Sequence, residues 1–177
     1  VARLREVRVL RGFTRINPPN ENDVRDGKYA MLSVDPNIPW LPAIEIRGEG
    51  IFISFENEAV AKWSERESVI KRVSSVVLQH KIDHEKTSPE QPLSAKRLML
   101  HSFAHILVKQ LTLDCGYSSA SLRERLYIDD DPAGMCGVLI YTGTSDSDGT
   151  LGGLQSRAES KILENTILTA LEASRWC

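Results

Sequence analysis

Residues 137–154 read GVLIYTGTSDSDGTLGGL, an apolar run closed by glycines, serines and acids. Whether that closing segment is a ligand loop or only a turn decides how the chain is built. "GVLIYT" (137–142) has the length and the branched, aromatic content of a buried strand. A helical period takes over from about residue 156, so the order is strand, glycine segment, helix. In that order backbone N–H groups and a helix start can receive an anion. A Walker-type phosphate loop needs a Lys and a Ser or Thr after its last glycine, and Leu154-Gln155-Ser156 stand there instead. Asp146 and Asp148 add repulsion toward a phosphate. The segment reads as a turn in which Asp and Ser side chains bond to the backbone and Gly152-Gly153 lets strand and helix approach closely.

The flanks fill in the fold. On the C-terminal side a helix over about 156–175 sets Ile162, Leu163, Thr166, Ile167, Ala170 and Leu171 on one side. On the N-terminal side, Ser118 and Ser119 can cap a short helix "ASLRERLY" (120–127). Before it, 95–114 carries the stripe Leu100, Phe103, Leu107 and Leu111, with Ser94 to cap its start and Gly116 to end it. From Glu56 to about Glu85 the apolar positions, Val60 and Trp63 through Leu78, predict one helix or two broken near Ser64–Ser68, and 86–94 is a surface linker. The first third reads as strands: "REVRVL" (5–10), "YAMLSV" (29–34) after a Pro/Asn/Asp/Gly loop, and a hairpin over 42–55 with Gly48-Glu49-Gly50 as its bend. A small antiparallel sheet followed by a helix-rich module with one late buried strand is an α+β chain, divided into a strand-rich segment with a helix (1–90) and a second domain (91–177).

With 177 residues and 41% hydrophobic content, the chain can bury a core of one domain or one and a half. No run is long enough to span a membrane and no signal segment opens the chain, so a soluble, cytoplasmic protein is expected. The first 15 residues hold five arginines (Arg3, Arg5, Arg8, Arg11, Arg15) against Glu6, an anion-seeking patch if they share a face, although the whole chain carries a net charge of −2. Three cysteines, Cys115, Cys136 and Cys177, form no CxxC pair and suit neither a disulfide framework nor a self-contained zinc ribbon. Starting at Val1 and stopping at Cys177, the chain is expected to be a fragment of something longer.

The four histidines form two i,i+4 pairs, His80/His84 and His101/His105, the spacing that puts two rings on one helix face as a zinc site requires. A metalloprotease helix needs Glu directly after its first His, and Lys81 and Ser102 stand there. A mixed site of one pair with a distant acid such as Asp114 is one reading. The other is that His101 and His105 sit at the edge of the core while His80 and His84 are solvated. No Gly-x-Ser-x-Gly elbow is present, and Cys136 reads as packed. Arg123, Glu124 and Arg125 beside Tyr127 are either a solvated helical face or contacts to a phosphate backbone.

Several separated motifs carry a family resemblance. "LHSFAHILVKQLTLDCGYSSASLRERLY" (100–127), then "GVLIYTGTSDSDGTLGGL" and a helix ending "RWC" (175–177), resembles the zinc-type C-terminal domain of the MrfA repair helicases, a domain also found in the DrmB subunits of DISARM phage-defence systems. "LREVRVLRGFTRI" (4–16) and "WLPAIEIRGEGIF" (40–52) are similar to the segment that precedes this domain in DrmB-like proteins, so most of the chain falls under the resemblance. It implies a non-catalytic module that works on DNA with a superfamily 2 helicase, as a separate subunit or a fused domain. Residues 91–177 are then the helicase-associated domain, cut short before its cysteine cluster. In such families the zinc-binding cysteines follow the helix ending "RWC", so Cys177 alone carries over as a metal ligand. Zinc is accordingly allowed for in the longer protein, its site incomplete here, and Cys115 and Cys136 receive no ligand role.

Three functions of different class are consistent with these readings. In the first, a DNA-processing defence module touches phosphates through Arg5, Arg8, Arg11, Arg15, Arg123 and Arg125, with salt-sensitive affinity. In the second, a scaffold docks the motor without touching DNA. In the third, a metal- or phosphate-dependent hydrolase uses His101, His105, Asp146 and Asp148. The first is the expectation taken forward.

Overall fold

The structure is a computed structural model, and it describes residues 1–16, 21–33, 35, 37, 39–83, 93–118, 120–129, 134–143 and 152–176. Its elements in chain order are β1 (Leu4–Val9), β2 (Gly12–Phe13), α1 (Glu21–Arg25), β3 (Ala30–Met31), β4 (Ala43–Gly48), β5 (Gly50–Ser54), α2 (Asn57–Ser64), α3 (Glu67–Asp83), α4 (Ala95–Cys115), β6 (Leu122–Ile128), β7 (Cys136–Thr142), α5 (Gly153–Ser156) and α6 (Ser160–Ala173), followed by a 3-10 turn, Ser174–Trp176. The expected α+β class holds. Two compact units are present, Arg5–Arg47 and Val1–Leu4 with Gly48–Cys177.

Helix α4 organises the larger unit. Ser94 Oγ accepts from the Arg97 N–H at 3.2 Å and Gly116 closes the helix at φ 72°, as the sequence predicts. Leu100, Ala104, Leu107 and Leu111, spaced along one face, are 0% exposed. Burying each leucine contributes roughly 1.5–3 kcal/mol while a cap contributes about 1 kcal/mol, so the stripe holds this helix and the caps set its ends. The stripe lies on an antiparallel sheet of order β5-β7-β6, meeting Ile51, Val138, Ile140 and Leu122, with Leu154 of α5 and Leu163 and Ile167 of α6 completing the core. A second cluster of Val60, Leu100 and Cys136 seats α2. The break between α2 and α3 falls at Glu65–Arg66, where the sequence places it.

Two expectations give way. The predicted short helix over 120–127 is strand β6, so the late region holds two strands. Its register with β7 sets Leu122, Glu124, Leu126 and Ile128 opposite Thr142, Ile140, Val138 and Cys136. Leu, Arg and Glu favour helix only by tenths of a kcal/mol, and a period-two pattern that buries leucines and pairs with β7 outweighs that preference. The predicted hairpin over 42–55 does not form either: β4 pairs with β1, and β5 pairs with β7. The Glu49 backbone is held by Thr142, its carbonyl accepting from the Thr142 N–H at 3.0 Å and its N–H donating to the Thr142 side-chain Oγ1 at 3.0 Å, so the chain runs on instead of folding back.

In the smaller unit, β2 and β3 pair antiparallel with Gly12 opposite Met31 and Phe13 opposite Ala30, which shortens the predicted strand over 29–34. Along β1 the partly covered positions are Leu4, Glu6 and Arg8. Arg8 donates to both Glu6 carboxylate oxygens, at 2.9 and 3.1 Å, while Val7 and Val9 stand half exposed.

Candidate functional site

The glycine segment does receive an anion, and the anion is the chain's own. Glu49 is 1% exposed, and its carboxylate accepts from the backbone N–H groups of Leu154 (2.8 Å) and Gln155 (3.0 Å) and from the Tyr117 hydroxyl (2.9 Å). Those two amides belong to the first turn of α5, where N–H groups have no partner within the helix. Gly152, at φ 112°, turns the backbone into this position, a conformation that side-chain-bearing residues rarely adopt. A Cβ on Gly153 would stand 2.8 Å from the Tyr117 oxygen. Burial, then the hydrogen bond to Glu49, pushes the Tyr117 phenol up to about 12, so it stays a donor at neutral pH. Each charge-assisted bond contributes about 1.5–3 kcal/mol, and three of them offset the several kcal/mol that desolvating a carboxylate costs. Glu49 therefore clamps the start of β5, the α4–β6 connection and α5 together.

The sheet's other face carries exposed Phe52, Arg123 and Arg125 and partly exposed Tyr127 and Tyr141 around a buried Leu139. The alternation that sends Ile51, Ile53, Val138, Ile140 and Leu126 toward α4 sends Phe52, Leu139, Tyr141, Arg123, Arg125 and Tyr127 the opposite way. Phe52 is 50% exposed and meets Tyr127 edge to face at 5.5 Å. Gly137 makes room for that pair, since a Cβ there would stand 2.9 Å from the Phe52 ring. The Arg125 guanidinium lies 5.7 Å from the centre of the Tyr127 ring, and Arg123 sits opposite Tyr141 on β7. Exposed arginines beside ring faces suit stacked bases and phosphates.

On the inward side of β6, Glu124 is an acid among Leu122, Leu126 and Ile128, and it reaches the rim of the core. His101 Nδ1 stands 2.9 Å from Glu124 Oε1 and His105 Nε2 3.7 Å from it, while the two imidazole Nε2 atoms are 3.1 Å apart. The side chains of His101 and His105 are 52% and 64% exposed, not the edge-of-core residues of one sequence reading, because they lie one position past the buried Leu100 and Ala104. His105 and Glu124 also wall a groove of about 770 Å³ bounded by Ile106, Leu113, Ala170 and Trp176.

The other candidates are dispersed. Arg5 donates to Glu45 at 2.8 Å and Arg8 binds Glu6, whereas Arg11 and Arg15 are exposed. The Glu45 carboxyl is held below its usual range by the hydrogen bonds from Arg5 and Arg47. Asp114 does not join the histidines: its carboxylate accepts from Gln110 (2.8 Å) and Thr166 (3.1 Å), tying α4 to α6. Burial pushes both the Cys115 and Cys136 thiols up, and neither joins a cluster of ligands among the described residues. His84, Asp146, Asp148 and Cys177 lie outside the described residues. Sequence reasoning missed Glu49, Phe52 and the role of Glu124. For Glu124 and Phe52 the signal was there, in the period-two alternations of 122–128 and 50–54.

Residues 103–177 match the MrfA Zn-binding domain family. Nearly the whole chain, 99%, is 39% identical to the DISARM protein DrmB of Bacillus paralicheniformis, and it spans 31% of that relative's length. The expected resemblance is thus borne out, and zinc fits the cofactor expectation. Among the described residues the one group able to hold such an ion is His101, His105 and Glu124, whose nitrogen and carboxylate donors are of the kind zinc takes. No described helix is long and apolar enough to cross a membrane.

Proposed function

We propose that this chain is the segment of a DrmB-like phage-defence protein that holds DNA beside a superfamily 2 helicase partner, and that it performs no bond-breaking itself. The observation that carries the reading is the outward sheet face, where Arg123 and Arg125 flank Phe52, Tyr127 and Tyr141. Aromatic rings can stack any base, at about 1–3 kcal/mol each, and the arginines can meet phosphates, so the face suits single strands better than a closed duplex. In the separate unit Arg5–Arg47, Arg11 and Arg15 are exposed, while Arg5 and Arg8 are bound to Glu45 and Glu6. Binding of labelled single-stranded DNA, followed by fluorescence anisotropy, should weaken as salt rises, with a slope of roughly −0.7 per phosphate contact. Binding absent at low salt rejects this reading.

A second reading has its own support. The unit Arg5–Arg47 leaves Val7, Val9, Ile16, Trp40 and Ile44 more than half exposed, an apolar content that suits docking to protein. As a pure scaffold the chain would form a stable complex with the helicase and ignore DNA at every salt concentration.

A further inference from the structure

We infer that His101, His105 and Glu124 form a binding site for a divalent transition metal of the zinc class, distinct from any cysteine site of the matched domain. His101 precedes the matched segment, and none of the three ligands is a cysteine. The donor atoms already lie within 4.8 Å of one another. Two nitrogens bound to one tetrahedral zinc at roughly 2.0–2.1 Å stand about 3.3 Å apart, close to the 3.1 Å between the two Nε2 atoms. The same carboxylate oxygen, Glu124 Oε1, lies 2.9 Å from His101 Nδ1 and 3.7 Å from His105 Nε2, within reach of both rings.

The fold brings these groups together from two directions. An i,i+4 pair on α4 supplies both rings on one face, and the register of β6 places the only acid of its inward row opposite them. The rings are accessible at the surface, so an ion can enter without unfolding. Three protein donors leave a fourth position for water or for a donor atom of something lying in the adjoining groove, which His105 and Glu124 help to wall.

Cobalt(II) titration of the full 177-residue chain in a Cys177→Ser background tests the site. Bound cobalt should show the d–d absorption of a tetrahedral site, no thiolate charge-transfer band, and displacement by zinc. His105→Gln and Glu124→Gln should each weaken binding by roughly tenfold or more while the circular dichroism of the chain stays unchanged. Absence of the d–d bands, or bands of equal affinity in both variants, overturns the inference, as does a thiolate band in place of the expected spectrum.

Discussion

The corner around Glu49 and the strand β6 lie in one compact unit, and they treat their charged groups in opposite ways. At the corner a fully buried carboxylate is saturated by three donors from the chain itself, one of them 68 positions away and the others beyond 100. On β6, an edge strand, Arg123 and Arg125 face outward and Glu124 reaches two exposed imidazoles. A saturated charge has nothing left to offer a ligand and serves stability, whereas charges held at an open edge keep their bonding capacity for something outside. The difference separates what holds this module together from what it can do.

The contrast breaks first at Glu49. Glu49→Ala leaves two amides and a hydroxyl without their acceptor in a buried place, and the chain should lose about 3–5 kcal/mol in urea unfolding, with Leu154 and Gln155 exchanging their amide protons far faster. A loss below about 1 kcal/mol would show that the corner is not the clamp. The Arg123→Ala/Arg125→Ala pair should keep the melting profile of the parent and bind single-stranded DNA roughly tenfold or more weakly, a cost of about 1.4 kcal/mol, with a shallower salt slope.

Tyr117→Phe removes one of the Glu49 donors and should cost about 1 kcal/mol. Its pH signature has a definite sign: the phenol titrates higher in the folded chain, at about 12 against the ordinary 10.0, so its contribution is complete below pH 10 and fades as pH rises toward 12. The stability gap between parent and Tyr117→Phe should therefore close across that window, and a constant gap would contradict the assignment. Glu124→Gln should shift unfolding by less than about 0.5 kcal/mol, since the exposed imidazole–carboxylate contacts add little to stability, and its effect should appear in metal binding alone.

How much of this was legible in the sequence follows the range of the interactions. Helix α4 could be read to within a residue because its stripe, its Ser94 cap and its Gly116 terminus are all local. The α2/α3 break was legible for the same reason. Strand β6 was not, since Leu122 and Leu126 satisfy both an i,i+4 helical face and every second position of a strand, and only the partner β7 decides between them. The supposed hairpin failed similarly: Gly48-Glu49-Gly50 has turn composition, yet Thr142 claims the backbone of Glu49 from far along the chain. The glycine segment lies largely outside the described residues, but the helix start after it binds a carboxylate that no spacing rule could have connected to it. The histidine pair was visible as a pair, while its acid proved to be Glu124 and not Asp114.

The central claim, that DNA lies on the outward face of the sheet, is tested most directly by photocrosslinking. A single strand carrying 5-iododeoxyuridine, bound to the full chain at low salt, irradiated and mapped by mass spectrometry, should attach to peptides containing Phe52, Tyr127 or Tyr141. Attachment confined to residues elsewhere, or none under conditions of measured binding, would contradict it.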